Sequence, residues 1–276
     1  MVINWTTAIT IIGSLGVAST AQVISHLFSQ KRDTEKYNKE CLQNLYSPII
    51  FPIVEYINGE AYRNSATEAE WFDETEFEKD PLNPDRSFKK TMEHISKNMK
   101  YAHTDLIIKY EELKFLTELY NKEREDRSIL LRHSMDLYGE CLIEFIKISE
   151  QLGTLSNRIK QKLNPALFFT QFYLLLIECE IFSLIDDSPH IVNYLEDILN
   201  TEGNFLNRIL DIRKKINYTN KNSNNEDKDK IEQTFQNAYD LFHEIINELH
   251  KKDPERAHIW KDNLENNWGL RNEMLG

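Results

Sequence analysis

The absence of charge at the start of the chain constrains its fold more than any other feature. No Asp, Glu, Lys or Arg occurs from Met1 to Gln30, and Lys31 and Arg32 then arrive together. The run from Trp5 to Phe28 is 24 residues long. As a helix rising ~1.5 Å per residue, such a run crosses a hydrocarbon core of ~30 Å. Thirteen of the 24 residues are apolar, two are Gly and nine are Ser, Thr, Gln or His. The span is weakly hydrophobic, with hydroxyls that can bond back to helix carbonyls. Trp5 stands where an interfacial aromatic belongs, and no Lys or Arg precedes it. Residues 1–30 therefore read as a single transmembrane anchor with Lys31 and Arg32 as the topology signal. By the positive-inside rule the rest of the chain faces the cytoplasm at the cell membrane.

Three other readings compete. A cleaved signal peptide is suggested by the small residues Ala18 to Ala21, but a basic n-region is missing. An interfacial amphipathic helix needs a charged face, which this stretch lacks. A buried helix of a soluble domain is the plain alternative. Within the span, Thr6, Thr10, Ser14 and Ala18 recur every fourth residue, with Gly13 and Ala21 beside them. A stripe of small residues lets two helix backbones approach, which opens a possible homo-oligomeric contact through the anchor; the plain alternative is that a weakly hydrophobic helix carries small residues on every side.

The whole chain has the composition of a folded protein, 41% hydrophobic and 28% charged, and its net charge of −12 falls entirely beyond residue 30. That sign disfavours nucleic acid as a partner, because phosphate backbones repel it. Cys41, Cys141 and Cys179 are widely spaced, with no CxxC pair. The pattern fits a reducing compartment and excludes a zinc-finger cluster.

Periodicity divides the remainder. Residues 31–58 read as a juxtamembrane helical segment, with Ser47-Pro48 as a helix start and Pro52 as a kink. The apolar run Ile49–Val54 could be a short strand, but helix is the reading adopted. Asn58-Gly59 opens an acidic aromatic loop over 59–86, in which Trp71, Phe72, Asp73, Glu74, Glu76 and Phe77 form a candidate docking surface for a protein partner. A solvated insertion is the simpler account of the same loop. Residues 87–216 carry helical stripes and form the bundle core, with the most apolar helix starting at Asn164-Pro165. Residues 217–230 are a polar linker. Residues 231–276 make a C-terminal helical hairpin whose last helix places Ala257, Trp260, Leu264 and Trp268 on one face. The expected fold is all-α, a single transmembrane helix followed by a cytosolic multi-helix bundle.

Motifs for chemistry are sparse. No glycine-rich phosphate loop, Rossmann fingerprint or GxSxG elbow is present, so no cofactor and no enzymatic activity are expected. His243-Glu244 begins an HExxH look-alike whose second histidine is replaced by Asn247. Glu255 and His258 have the spacing of a single di-iron half-motif. Glu178 and Glu180, at the end of the most apolar helix, are the acids best placed for general acid–base work if they are buried. Two apart on a helix, they do not form a pair. The expected function is a membrane-tethered interaction or regulatory protein. The alternatives are a membrane-acting effector with an oligomerising anchor, of the bacterial anti-phage or toxin type, and an enzyme with an unrecognised site.

Overall fold

The computed structural model describes residues 32–67, 77–123, 127–201, 203–221 and 228–275. Every regular element among them is helical. The predicted anchor with its packing stripe, and Lys31, lie outside these residues. Among the described residues no helix is long and apolar enough to cross a membrane.

The first helix, α1, spans residues 32–67 without interruption. It is α-helical over 32–41, π-helical at Leu42–Tyr46 and α-helical again at Ser47–Thr67. The predicted helix start at Ser47-Pro48 is therefore absent, and Ser47 has helical angles of φ −56° and ψ −39°. Pro48 has no N–H, so the Asn44 carbonyl one turn earlier loses its helical partner. A wide π turn, in which the Ser47 N–H bonds the Leu42 carbonyl, accommodates the proline, and His94 from another helix supplies the missing donor at 2.7 Å. Burial along α1 recurs at Cys41, Leu42, Leu45, Tyr46, Ile49, Ile50, Ile53, Tyr56 and Ile57, one stripe that faces the core through and beyond the π turn. Residues 32–37 are exposed all round. Asn38 is tied to the far end of a neighbouring helix by a 3.0 Å bond to Gln151.

Asn58-Gly59 does not open a loop. Gly59 is buried inside α1, where a Cβ would stand 2.7 Å from the Leu82 carbonyl oxygen and 3.0 Å from the Pro84 side chain. The glycine marks a close approach of two chain segments. The predicted boundary between 31–58 and 59–86 is therefore crossed by α1, which continues to Thr67.

The second helix, α2 (Pro84–Lys97), is capped by the Asn83 side chain, which accepts the Asp85 N–H. It packs along α1. Next, α3 (Thr104–Glu123) and α4 (Arg127–Gln151) lie against each other. Helix α5 (Asn157–Glu178) starts at the Ser156 cap, a full turn and more before the predicted Asn164-Pro165, and holds Pro165 in its interior. It is the central helix: Leu163 and the whole run from Ala166 to Leu176 are buried. Gly139 of α4 lets α5 approach, since a Cβ there would meet the Gln171 amide at 2.7 Å.

Short elements follow: α6 (Phe182–Ile185), a 3-10 turn at Ser188–Tyr194, and α7 (Leu195–Leu199). Helix α8 (Phe205–Lys221) extends past the predicted linker boundary, and α9 is helical from Lys228, so the predicted linker 217–230 is helical at both ends; residues 222–227 lie outside the described residues. The predicted hairpin consists of α9 (Lys228–His250) and α10 (Pro254–Leu275). It docks on α5 through an aromatic stack: Phe172 lies parallel to Trp260 at 6.1 Å and edge-on to Phe242 at 5.8 Å. Asp187 locks the contact by accepting from both the Trp260 indole and the Arg256 guanidinium.

Candidate functional site

The ends of α1, α2 and α4 meet in an ionic node. Glu60, on the buried side of α1 at 5% exposure, accepts Arg127 at 2.8 Å. Arg63 lies one turn further on. Its guanidinium reaches Glu60 at 3.7 Å, Asp85 at 2.9 Å and the Asn83 side-chain oxygen at 2.9 Å. Arg127 also faces Asp85 at 3.4 Å. Burial pushes the Glu60 carboxyl above its ordinary value, and Arg127 offsets part of that rise. An acid that composition places in a solvated loop is thus a buried counter-ion joining α1 to α4, and α2 enters the node through Asp85 and Asn83.

Beside the node a cleft of ≈ 770 Å³ opens between α2, α3 and α4. Its floor is Tyr56, Phe88, Met92, Tyr110, Leu130 and Leu131, and Lys89, Lys97 and Lys114 stand at its rim. Tyr56 packs edge-on against Tyr138 at 5.0 Å and tilted against Phe88 at 5.9 Å. Burial pushes the Tyr56 and Tyr138 phenols well above their ordinary value, so the base of the cleft stays uncharged. The chain matches no known protein family, no curated protein and no solved structure.

The residues singled out in the sequence are scattered. Thr6, Thr10, Gly13, Ser14, Ala18, Ala21 and Lys31 lie outside the described residues, as do Trp71, Phe72, Asp73, Glu74 and Glu76 of the docking loop. Arg32 is exposed at the start of α1. Phe77 is turned inward: it is 8% exposed, stacked on Tyr62 at 5.7 Å and covered by Arg63 at 5.1 Å. It is packed against the end of α1 and offers no surface to a partner.

Glu178 is not a free buried acid. Arg213 of α8 grips it with two nitrogens, Nε at 3.1 Å from both oxygens and Nη2 at 2.6 Å from one. The same guanidinium bonds the buried Gln171. Glu180 is exposed and follows the helix end in the left-handed region at φ 59°. Its N–H bonds Ile177, and the next N–H, of Ile181, reaches back to Leu176 at 3.0 Å. This is the Schellman ending, with Glu where Gly is usual.

The look-alike metal motifs also come apart. Glu244 pairs with Arg208, His243 packs on Tyr239, and His258 is exposed beside Asp262. Among the described residues one other group can offer three ligand atoms within 4.8 Å of one another, His103 with Glu140 and Glu144. The His103 Nδ1 accepts the Leu106 N–H at 3.3 Å, capping α3. Neutral imidazole then carries its proton on Nε2, which faces Glu140 at 3.5 Å. A metal would need that nitrogen bare. Lys109 and Lys147 already hold the two carboxylates, so the group is a cap and ion-pair network.

Sequence reasoning missed the cleft because its lining comes from four helices and its charges from residues far apart. The available signal was the pair of half-buried stripes Phe88/Met92 and Leu130/Leu131, which no single-helix count brings together.

Proposed function

We propose that the protein is a membrane-tethered helical interaction or regulatory protein, anchored by residues 1–30 and holding an acidic bundle at the cytoplasmic membrane face. The observation that carries the reading is the continuity of α1. The helix is already formed at Arg32, the first described residue, has no break before Thr67 and is buried in the core from Cys41 onward. A passive tether needs only a flexible linker. A rigid helix that is present from Arg32 and built into the core is what regulation from the membrane requires.

The partner surface assigned here is the acidic aromatic segment around Trp71 to Glu76, whose two ends are fixed by α1 and by the Tyr62–Phe77 stack. A second copy of the chain joins through the stripe Thr6, Thr10, Ser14 and Ala18. Topology is tested by adding protease to intact cells: the bundle is protected, and is degraded only after lysis. Degradation in intact cells contradicts the cytoplasmic placement. Partner binding is tested by crosslinking in membranes with Trp71 and Phe72 both changed to Ala. Loss of a specific crosslinked species supports the docking segment, and an unchanged crosslinking pattern removes it.

A further inference from the structure

We propose that the cleft between α2, α3 and α4 is a binding site for an amphipathic monoanion, a long-chain carboxylate with its chain on the apolar floor and its head at the lysine rim. Large apolar side chains scattered singly over a surface need no explanation, but here they converge. Phe88, Met92, Leu130 and Leu131 are half-buried and line one opening. Its ≈ 770 Å³ falls within the ~300–1,000 Å³ of sites that hold a drug-sized ligand.

Phe88, Met92 and Tyr110 stand in helix interiors, where backbone groups are bonded within the helix. The floor therefore offers little to a polar peptide or base, whose own groups would go unpaired there. An acyl chain asks for no such partner.

Charge selects the head group. The acids at the rim are Asp85, Glu93 and Glu118. Asp85 is already held by Arg63 and Arg127. The rim cations are less committed. Lys97 meets Glu93 only at 4.0 Å and Lys114 meets Glu111 only at 3.7 Å, with both pairs exposed. Lys89 makes no ion pair within 4 Å among the described residues. In a chain of net charge −12 this opening gathers mobile cations over an apolar floor, the complement of a fatty carboxylate.

The site does not depend on the anchor, and the experiment separates the two. The full-length chain in zwitterionic nanodiscs is photolabelled with diazirine-bearing palmitate and mapped by peptide mass spectrometry. Label is expected on the peptides carrying residues 88–97, 110–118 and 127–131, competed by excess palmitate and not by palmityl alcohol. Leu130→Trp fills the cleft, and Lys89→Glu, at an exposed position that leaves packing untouched, reverses the rim charge. Each is expected to lower the cleft label about tenfold, with labelling of residues 1–30 unchanged. Label spread evenly over exposed apolar residues such as Phe115, or insensitive to both variants, overturns the proposal. Equal competition by the alcohol overturns the carboxylate assignment.

Discussion

The ring of His94 on α2 donates to the carbonyl of Asn44, 2.7 Å away, the oxygen that Pro48 leaves without a helical partner. One side chain thus repairs the α1 backbone where it widens into the π turn, and fastens α2 to it. The carbonyl is an acceptor only, so Nε2 must carry a proton, in the neutral or the charged ring alike.

His94→Ala is expected to cost about 1 kcal/mol, the low end for a lost hydrogen bond, since Asn44 is exposed enough for water to replace the donor,. His94→Gln keeps a donor and should recover part of it. Urea unfolding followed by circular dichroism measures both. Equal loss in the two variants would show that packing of the ring, and not its N–H, is what α1 needs.

Gly59→Ala sets two effects against each other. Removing a glycine from a helix interior gains about 1 kcal/mol. The new Cβ would stand 2.7 Å from the backbone oxygen of Leu82, which cannot rotate away, and overpacking of this kind costs about 1–3 kcal/mol. The variant is expected to unfold at lower temperature than the parent. A raised midpoint would mean that the turn at Leu82–Pro84 yields easily.

Glu180→Gly should stabilise. A non-glycine residue in the left-handed region carries a cost of roughly 1 kcal/mol, and the Glu180 side chain is exposed with no bond to lose among the described contacts. Thermal unfolding a few degrees higher is the expected outcome, and a lower midpoint would assign the side chain a structural role.

Glu60 gives the fold a pH dependence of defined sign. Its carboxyl is raised above the unfolded value of 4.5 because burial penalises the charged form, with Arg127 pulling it partly back. The folded state therefore binds this proton more tightly than the unfolded chain does. The group's contribution is fully present below pH 4.5 and declines as pH rises through its folded value. Glu60→Gln removes that decline. The stability of the parent minus that of the variant should fall across this window and be flat above it; a difference that rises with pH would show that the two arginines outweigh burial.

Much of the fold could be read from the sequence where the signal is local. The stripes that became α2 to α4, the apolar run of α5 and the C-terminal hairpin follow from helical periodicity, because each buries one face against a common core. Proline and glycine were misread wherever their meaning depends on a distant neighbour. Pro48 looks like a helix start until His94 is seen beside Asn44, and Gly59 looks like a turn until Leu82 is seen against it. The acids failed for the same reason. Glu60 finds Arg127 across 67 positions and Glu178 finds Arg213 across 35, separations at which spacing carries no information. The cleft, assembled from four helices, was the least legible feature of all.

The proposed function requires that residues 1–30 hold the bundle at a membrane. Its most direct test is to fractionate cells producing the full-length chain beside a truncation starting at Gln30, with an alkaline carbonate wash of the membranes. The account predicts that the full-length chain stays in the washed membrane pellet while the truncation is soluble and retains its helical circular dichroism. A full-length chain released into the supernatant would contradict it and place residues 5–28 among the helices of the bundle.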